Sequence, residues 1–133
     1  MPARKPDPDG ASSVAAVAAT LDRGEVPAAA LLRSAARHLL YELEREAPGR
    51  SVEVRVVPVA AVQVIEGPRH TRGTPPNVVE TDPKTWFLLA TGRIGWAEAV
   101  QSGAVRASGA RSDLSAHLPL RRIVPPRSAE EID

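Results

Sequence analysis

One segment decides the fold of this chain: residues 82–120, DPKTWFLLATGRIGWAEAVQSGAVRASGARSDLSAHLPL. Asp82 followed by Pro83 predicts the start of a helix, because aspartate accepts hydrogen bonds from the first free amides and proline suits the first turn. The spacing predicts that this helix spans 83–91. It ends before a glycine and carries Trp86 and Leu89.

The rest of this segment predicts a second helix, a strand and a short closing helix. Residues 96–102 present Trp96 and Val100 at helical spacing, and a glycine, the residue preferred after a helix end, follows them. Residues 104–108 predict a strand. Ser112 is the expected cap of a final short helix that ends before the next proline.

Upstream lies a loop of mixed composition, residues 66–82, EGPRHTRGTPPNVVETD. Arg69, His70, Arg72 and Thr74 place polar groups on a stretch that two adjacent prolines stiffen. Loops held between rigid elements often carry binding groups. An ordered connection whose prolines only reduce the entropy of the unfolded chain explains the composition as well, so both interpretations stay open.

The region around this loop predicts three strands. Residues 52–56 alternate valine with charged side chains, which is typical of a strand with one solvent-facing side. Residues 59–65 are apolar on both faces except for Gln63, which indicates a more central strand. Residues 78–81 follow the loop and predict a short third strand.

Two helices precede the strands. The first is predicted over 14–22, with Ser12 and Ser13 as candidate N-caps, and the second over 27–46, with Pro27 in its first turn. The second helix carries an apolar stripe at i, i+3, i+4 spacing, and charged residues occupy its other side. The stripe is Leu32, Ala35, Ala36, Leu39, Leu40 and Leu43, and the charged side is Arg33, Arg37, Glu42 and Glu46.

The length predicts one domain with loose ends. The chain has 133 residues, and we expect a disordered N-terminus over 1–10, a single domain over 11–120, and a charged, proline-rich tail over 121–133. Aromatic residues make up only 3% of the chain, so the core is expected to consist of valine, leucine, isoleucine and alanine.

Composition also excludes several classes of function. The net charge of +1 argues against recruitment of nucleic acid or an anionic membrane by a bulk electrostatic field. The absence of cysteine excludes disulfides, thiolate metal sites and cysteine nucleophiles. No apolar run reaches the roughly 18 residues of a membrane span, and Asp7, Pro8 and Asp9 interrupt any signal-peptide pattern. We therefore expect a cytoplasmic protein without integral membrane association.

Residues 82–120 resemble the C-terminal half of the sterol carrier protein family, with Gly92, Gly103 and Gly109 at the matching positions. The text GPRHTRGTPPNVVETDP within 66–83 is similar, more narrowly, to small stand-alone sterol-carrier-like proteins of bacteria with GC-rich genomes. The resemblance covers about residues 28–120.

The resemblance implies an α/β (α+β) fold in which helices pack on one face of a mainly antiparallel sheet of four to five strands. It also implies an apolar tunnel between the two layers that takes up lipid-like ligands. The same fold occurs as the C-terminal domain of bacterial thiol-dependent isomerases, where it assists a metal-binding helical domain that this chain lacks.

The candidate ligand-binding residues form two groups. Arg69, His70, Arg72 and Thr74 are candidates for the mouth of the tunnel, because guanidinium groups hold carboxylates or phosphates in bidentate fashion. Alternatively, the two arginines pair with Glu66 or Glu80 and only fix the loop. The candidate walls, whose pattern is more often that of core than of a ligand wall, are Trp86, Leu89, Trp96 and Val100.

Other functional signatures are weak or absent from the sequence. His38 and His117 are expected to be structural or solvated, and the three histidines lack metal-ligand spacing, so no metal site, cofactor or catalytic residue is predicted. Gly92–Gly95, GRIG, matches the GXXG loop with which KH domains clamp nucleic acid, although two glycines at this spacing also occur wherever one helix follows another.

The sequence therefore predicts a non-enzymatic protein that binds or transfers an amphipathic small molecule. The apolar body of the molecule would lie in the tunnel and an acidic head at residues 69–74, which we call the arginine loop. Two alternatives stay open. One is an accessory protein whose arginine loop holds an anionic substrate for a partner enzyme. The other is a ligand-free protein-interaction module.

Overall fold

The computed structural model describes residues 8–68 and 77–123. Regular elements cover most of this part of the chain, and the predicted order of helices and strands is confirmed. In chain order the elements are α1 (Pro8–Asp22), α2 (Ala29–Glu46), β1 (Val52–Val56), β2 (Ala60–Val64), β3 (Val78–Thr81), α3 (Pro83–Ala90), α4 (Trp96–Gln101), β4 (Val105–Ser108) and a 3-10 turn (Ser115–His117).

The four strands form one sheet in the order β2-β1-β3-β4. Strand β1 pairs with β2 in antiparallel fashion, and β3 pairs with β4 in the same way. The central pair, β1 and β3, is parallel, with Glu53 opposite Val78. The mainly antiparallel sheet is therefore confirmed, with one parallel pairing at its centre.

The helices cover one face of this sheet. On β1, Val52, Val54 and Val56 are fully buried, whereas Glu53 and Arg55 between them are only half-buried. The inward side chains of the strands join those of the helices in one continuous core. Its largest fully buried members are Trp86, Phe87, Leu39, Leu40, Leu43, Leu89, Leu114, Leu120, Val17, Val52, Val54 and Val56.

Strand β2 lies at the edge of the sheet, so the expectation of a more central strand was wrong. Its sequence is apolar on both faces because an alanine, Ala61, occupies the exposed face. Only one face is buried, through Val62 and Val64. The helices cover only one face, so the central strand β1 still alternates between apolar and charged residues.

Helix α1 begins six residues before the predicted Val14, because neither serine acts as an N-cap. The Ser13 hydroxyl donates instead to the carbonyl of Asp9, one helical turn earlier, and contacts the hydroxyl of Ser34 on α2 at 3.1 Å. The two helices approach closely at Gly10, where a Cβ atom would lie 2.7 Å from the His38 ring. His38 therefore has a packing role.

The predicted closing helix is only a 3-10 turn, Ser115–His117. Ser112 does not cap it, because its hydroxyl donates back to the carbonyl of Gly109. Asp113 accepts the Ser115 amide at 2.8 Å, and this backbone hydrogen bond, with a side-chain bond to Ser115, lowers the pKa of Asp113. The stability that this pKa shift contributes is therefore lost as the pH falls through the lowered pKa.

Helix α3 begins as the sequence predicts. Asp82 Oδ1 accepts the backbone amide of Thr85 at 2.8 Å, and Oδ2 accepts the Thr85 hydroxyl at 2.7 Å. We expect Asp82→Ala to lower the free energy of unfolding by about 1 kcal/mol, measured by urea titration. Lys84→Ala, on an exposed position of the same helix, is the control and should change little. Equal stability of the two variants would contradict the role of Asp82.

Candidate functional site

The described residues that flank the arginine loop meet at one end of the sheet, which we call the loop end. The chain leaves β2 through residues 65–68 and returns at Asn77. Because β1 begins at this end and α2 finishes here, two layers of the fold converge on the loop. The predicted mouth residues Arg69, His70, Arg72 and Thr74 lie outside the described residues, so their role stays a prediction.

Backbone hydrogen bonds around Ile65 fix the departure of the loop. The Ile65 amide donates to the carbonyl of Ala47 at the end of α2, at 2.7 Å. The Ile65 carbonyl accepts both the amide of Ser51 at 3.1 Å and its hydroxyl at 2.6 Å. Ile65 holds a positive φ of 67°, which is strained for a β-branched residue. Such strain persists only where the surrounding structure imposes it, and it concentrates at binding sites.

A second set of contacts fixes the return of the loop, and sequence reasoning missed it. The buried Asn77 side chain donates to the carbonyl of Ser51 at 2.9 Å and accepts the amide of Arg111 at 2.9 Å. The Arg111 guanidinium lies over Gly67, where a Cβ atom would come within 2.7 Å of its Nη1. Asn77 thus joins β1 to the segment after β4. An asparagine at the first position after two prolines was the available signal.

A cluster of charged residues also lies at the end of α2 and was not expected to be buried. Glu42 is on the predicted charged side of the helix, yet its side chain is only 7% exposed. Its carboxylate pairs with Arg45 through Oε1, and Oε2 lies 3.9 Å from Nη1 of Arg122. No hydrogen-bond donor of the described residues reaches Oε2. An unsatisfied buried acceptor of this kind costs about 1–3 kcal/mol.

Residues 120–123 cover this cluster, and we call them the C-terminal turn. The amides of Arg121 and Arg122 donate to the two carboxylate oxygens of Glu46, at 2.8 and 3.1 Å. The amide of Leu120 donates to the carbonyl of Ala90 at the end of α3. Because Leu120 is fully buried, the turn joins α2 to α3 over the core.

The predicted wall residues differ in burial. Trp86 and Leu89 belong to the core, and Trp96 packs against it, but Val100 is 40% exposed on α4. The Trp86 indole donates its N–H to the carbonyl of Ala36 at 3.1 Å and so joins α3 to α2. Packing and a hydrogen bond explain Trp86 without a ligand, and its assignment as a tunnel wall stays a prediction.

Two clefts are lined by described residues. One lies at the end of the sheet opposite the loop end, and the other lies on the face that the helices leave open. One of about 390 Å³ is bordered by Val57, Asp82 and Ala104, and one of about 220 Å³ by Val78 and Ser108. Both include Glu80 and Arg106, which form an ion pair at 2.9 Å. Since Arg106 is 80% exposed, these clefts are open surface grooves and differ from an enclosed tunnel.

The GRIG turn between α3 and α4 serves as an attachment point for α1. The Arg93 guanidinium pairs with Asp22 at 2.9 Å and contacts the carbonyl of Ala18 at 3.4 Å. The basic side chain that a nucleic-acid clamp needs is therefore engaged within the protein. Packing accounts for this motif.

Neither a metal cluster nor a membrane-spanning helix is found among the described residues. Over residues 8–68 and 77–123, no group of three histidine, aspartate or glutamate side chains is arranged to hold a metal ion. Within the same ranges, no helix combines the length and the apolar character of a membrane span.

The fold and its loop end can now be compared with known families. A family model described as bacterial SCP ortholog matches residues 28–120, which is more than half of the chain. The chain belongs to this bacterial sterol-carrier-like family. No curated protein shows significant similarity to the chain. The family match includes α2, the whole sheet, α3 and α4, whereas α1 and the last three residues of the C-terminal turn lie outside it.

Proposed function

We propose that this sterol-carrier-like protein binds and transfers an amphipathic, lipid-like small molecule in the cytoplasm, without catalysing a reaction. The apolar part of the ligand occupies the space between the sheet and the helices. Its polar head lies at the loop end. Membership of the sterol-carrier-like family supports this proposal.

The distribution of buried polar groups is the observation that carries the proposal. The core between the layers consists of apolar side chains apart from the Trp86 indole N–H, which is bonded to Ala36. Of the seven buried polar residues among those described, four lie at or next to the loop end, namely Glu42, Ser51, Asn77 and Ser112. The other three, Ser13, Thr81 and Thr85, lie elsewhere and are hydrogen-bonded within the protein. Ligand pockets have this design, with apolar walls and a few placed polar groups.

The arginine loop supplies the proposed head-group site. The contacts of Ile65 and Asn77 hold the described residues on either side of the segment that carries Arg69 and Arg72. An acidic head would bind to these guanidinium groups through charge-assisted hydrogen bonds. His70 and Thr74 complete the proposed mouth, and Trp86, Leu89, Trp96 and Val100 the proposed walls.

Native mass spectrometry of the purified protein tests the proposal directly. A co-purified lipid or amphiphile is the expected result. A small polar acid would instead indicate that the protein holds a substrate for a partner enzyme. Protein that is free of ligand and also fails to bind added decanoic acid would contradict carriage and favour an interaction module.

Substitution of the two loop arginines tests the head-group site. We expect Arg69→Ala and Arg72→Ala each to weaken binding of a fluorescent fatty acid about tenfold, the effect of about 1.4 kcal/mol, with little change in thermal stability. Arg106→Ala is the matched control, because Arg106 lines both surface clefts and lies away from the loop end. Reduced stability with unchanged affinity would show that the arginines only fix the loop. Reduced affinity in the Arg106 variant would place the ligand on the open face.

A further inference from the structure

We propose that Oε2 of Glu42 is a binding site for a hydrogen-bond donor, an alcohol or an amine, on the head of the bound amphiphile, and that the ligand reaches it by displacing the C-terminal turn. This inference rests on the proposed function and adds a second site, for a donor group, to the proposed site for an acidic group at the arginine loop.

The first observation is that Oε2 of Glu42 accepts no hydrogen bond from the described residues. A buried carboxylate oxygen is expected to accept a hydrogen bond, because burial removes the water that would otherwise solvate it. The Oε1 atom has Arg45, but the 3.9 Å between Oε2 and Nη1 of Arg122 is too long for a hydrogen bond. Among the described residues, Oε2 therefore has a cationic side chain nearby but accepts no hydrogen bond.

The second observation is the way in which the C-terminal turn covers this oxygen. Arg122 belongs to the turn and lies next to Oε2. The turn is held by two backbone amides on the Glu46 carboxylate, by the amide of Leu120 on Ala90, and by the buried Leu120 side chain. The partly buried Ile123 also packs against the core, whereas Arg121 and Arg122 are exposed. A chain segment with few buried contacts opens more readily than the core itself.

The chemistry of Leu120 and Glu42 selects the class of ligand. Displacing the turn vacates the position of the Leu120 side chain, which an alkyl chain fills, and leaves Oε2 open to the incoming head group. A hydroxyl or ammonium group donates to this oxygen. A carboxylate head is repelled by Glu42 and is expected at the arginine loop instead.

A pair of isomeric ligands tests the donor site in the native protein. Decan-1-ol and methyl nonyl ether have the same composition, but only the alcohol carries a donor. We expect calorimetry to show about tenfold tighter binding of the alcohol, because a hydrogen bond to a charged acceptor is among the stronger ones. Equal affinities would overturn the inference and leave carriage intact. If neither isomer binds and decanoic acid also fails to bind, the proposed function falls as well.

A substitution of Glu42 tests the role of its carboxylate as the acceptor. Glu42→Gln replaces the charged acceptor by a neutral amide and should reduce the preference for the alcohol to about twofold or threefold. Glu98→Gln, on an exposed position of α4, is the control and should keep the full preference. An undiminished preference in the Glu42 variant would overturn the donor site.

The route of entry is tested at Glu46. Glu46→Gln leaves one of the two amides of the turn facing an NH₂ group, so the turn should open more often. We expect association and dissociation rates of both isomers to rise severalfold with an unchanged affinity ratio, and the Leu120 amide to exchange its hydrogen faster. Unchanged rates alongside faster exchange would show that the ligand enters elsewhere.

Discussion

Replacing Trp86 by alanine is expected to lower the free energy of unfolding by about 3–5 kcal/mol. The side chain is 1% exposed and lies in the core, so its removal leaves a large cavity. The variant also loses the indole hydrogen bond to the carbonyl of Ala36, which joins α3 to α2. Since small domains have a total stability of about 5–15 kcal/mol, a large part of the stability would be lost.

Two control substitutions separate the contribution of the lost side-chain volume from that of the lost hydrogen bond. Trp86→Phe keeps most of the ring volume and loses the N–H, so we expect a loss of about 1–2 kcal/mol, measured by circular dichroism during urea unfolding. Trp96→Ala should cost less than Trp86→Ala, because Trp96 is only partly buried against the core. A loss below about 1.5 kcal/mol for Trp86→Ala would show that the neighbouring side chains collapse into the space that the indole leaves.

Gly49→Ala is the second substitution with a large expected effect, about 3 kcal/mol or more. Gly49 has a φ of 153°, which side chains rarely adopt, and a Cβ atom there would lie 2.1 Å from the carbonyl group of Ile65. The neighbour is backbone and does not rotate away. The two segments must therefore separate, which breaks the hydrogen bonds that Ile65 makes with Ala47 and Ser51.

The matched control is Gly24→Ala, because Gly24 has a φ of 73° and no atom within 4 Å of an added Cβ. It should lose only the conformational contribution, about 1–2 kcal/mol. Ligand affinity should fall in the Gly49 variant and remain unchanged in the Gly24 variant, since only Gly49 contacts the segment at Ile65 and Glu66 through which the chain leaves β2. Equal losses of stability in urea titrations would show that the close contact at Gly49 relaxes easily.

The parts of the fold that were predictable depend on local chemistry. Asp82 and Pro83 define the start of α3, and the valine alternation of β1 defines both its length and its buried face. The start of α1 was not predictable from Ser12 and Ser13, because a serine inside a helix donates to the preceding turn when no cap geometry is available. The place of β2 at the edge depends on pairing with distant residues.

The candidate site was less predictable because its contacts join residues that are far apart in the sequence. Asn77 and Arg111 are 34 positions apart, and their hydrogen bond follows from the packing of β4 against β3 rather than from any short motif. Glu42 was expected on the charged side of α2 because helical spacing places it there. Its contact with Arg122, a residue 80 positions later in the chain (122 minus 42), does not follow from any short motif.

The parallel pairing of β1 with β3 has a consequence for folding kinetics. Strands β1 and β2 are separated by three residues, Val57–Val59, so their hairpin closes a short loop, as does the packing of α1 on α2. The β1–β3 pair encloses a longer stretch of chain, which includes β2 and the arginine loop, and such non-local pairing is slow. We expect substitutions such as Val79→Ala in β3 mainly to accelerate unfolding, whereas substitutions in the β1–β2 hairpin should also slow refolding.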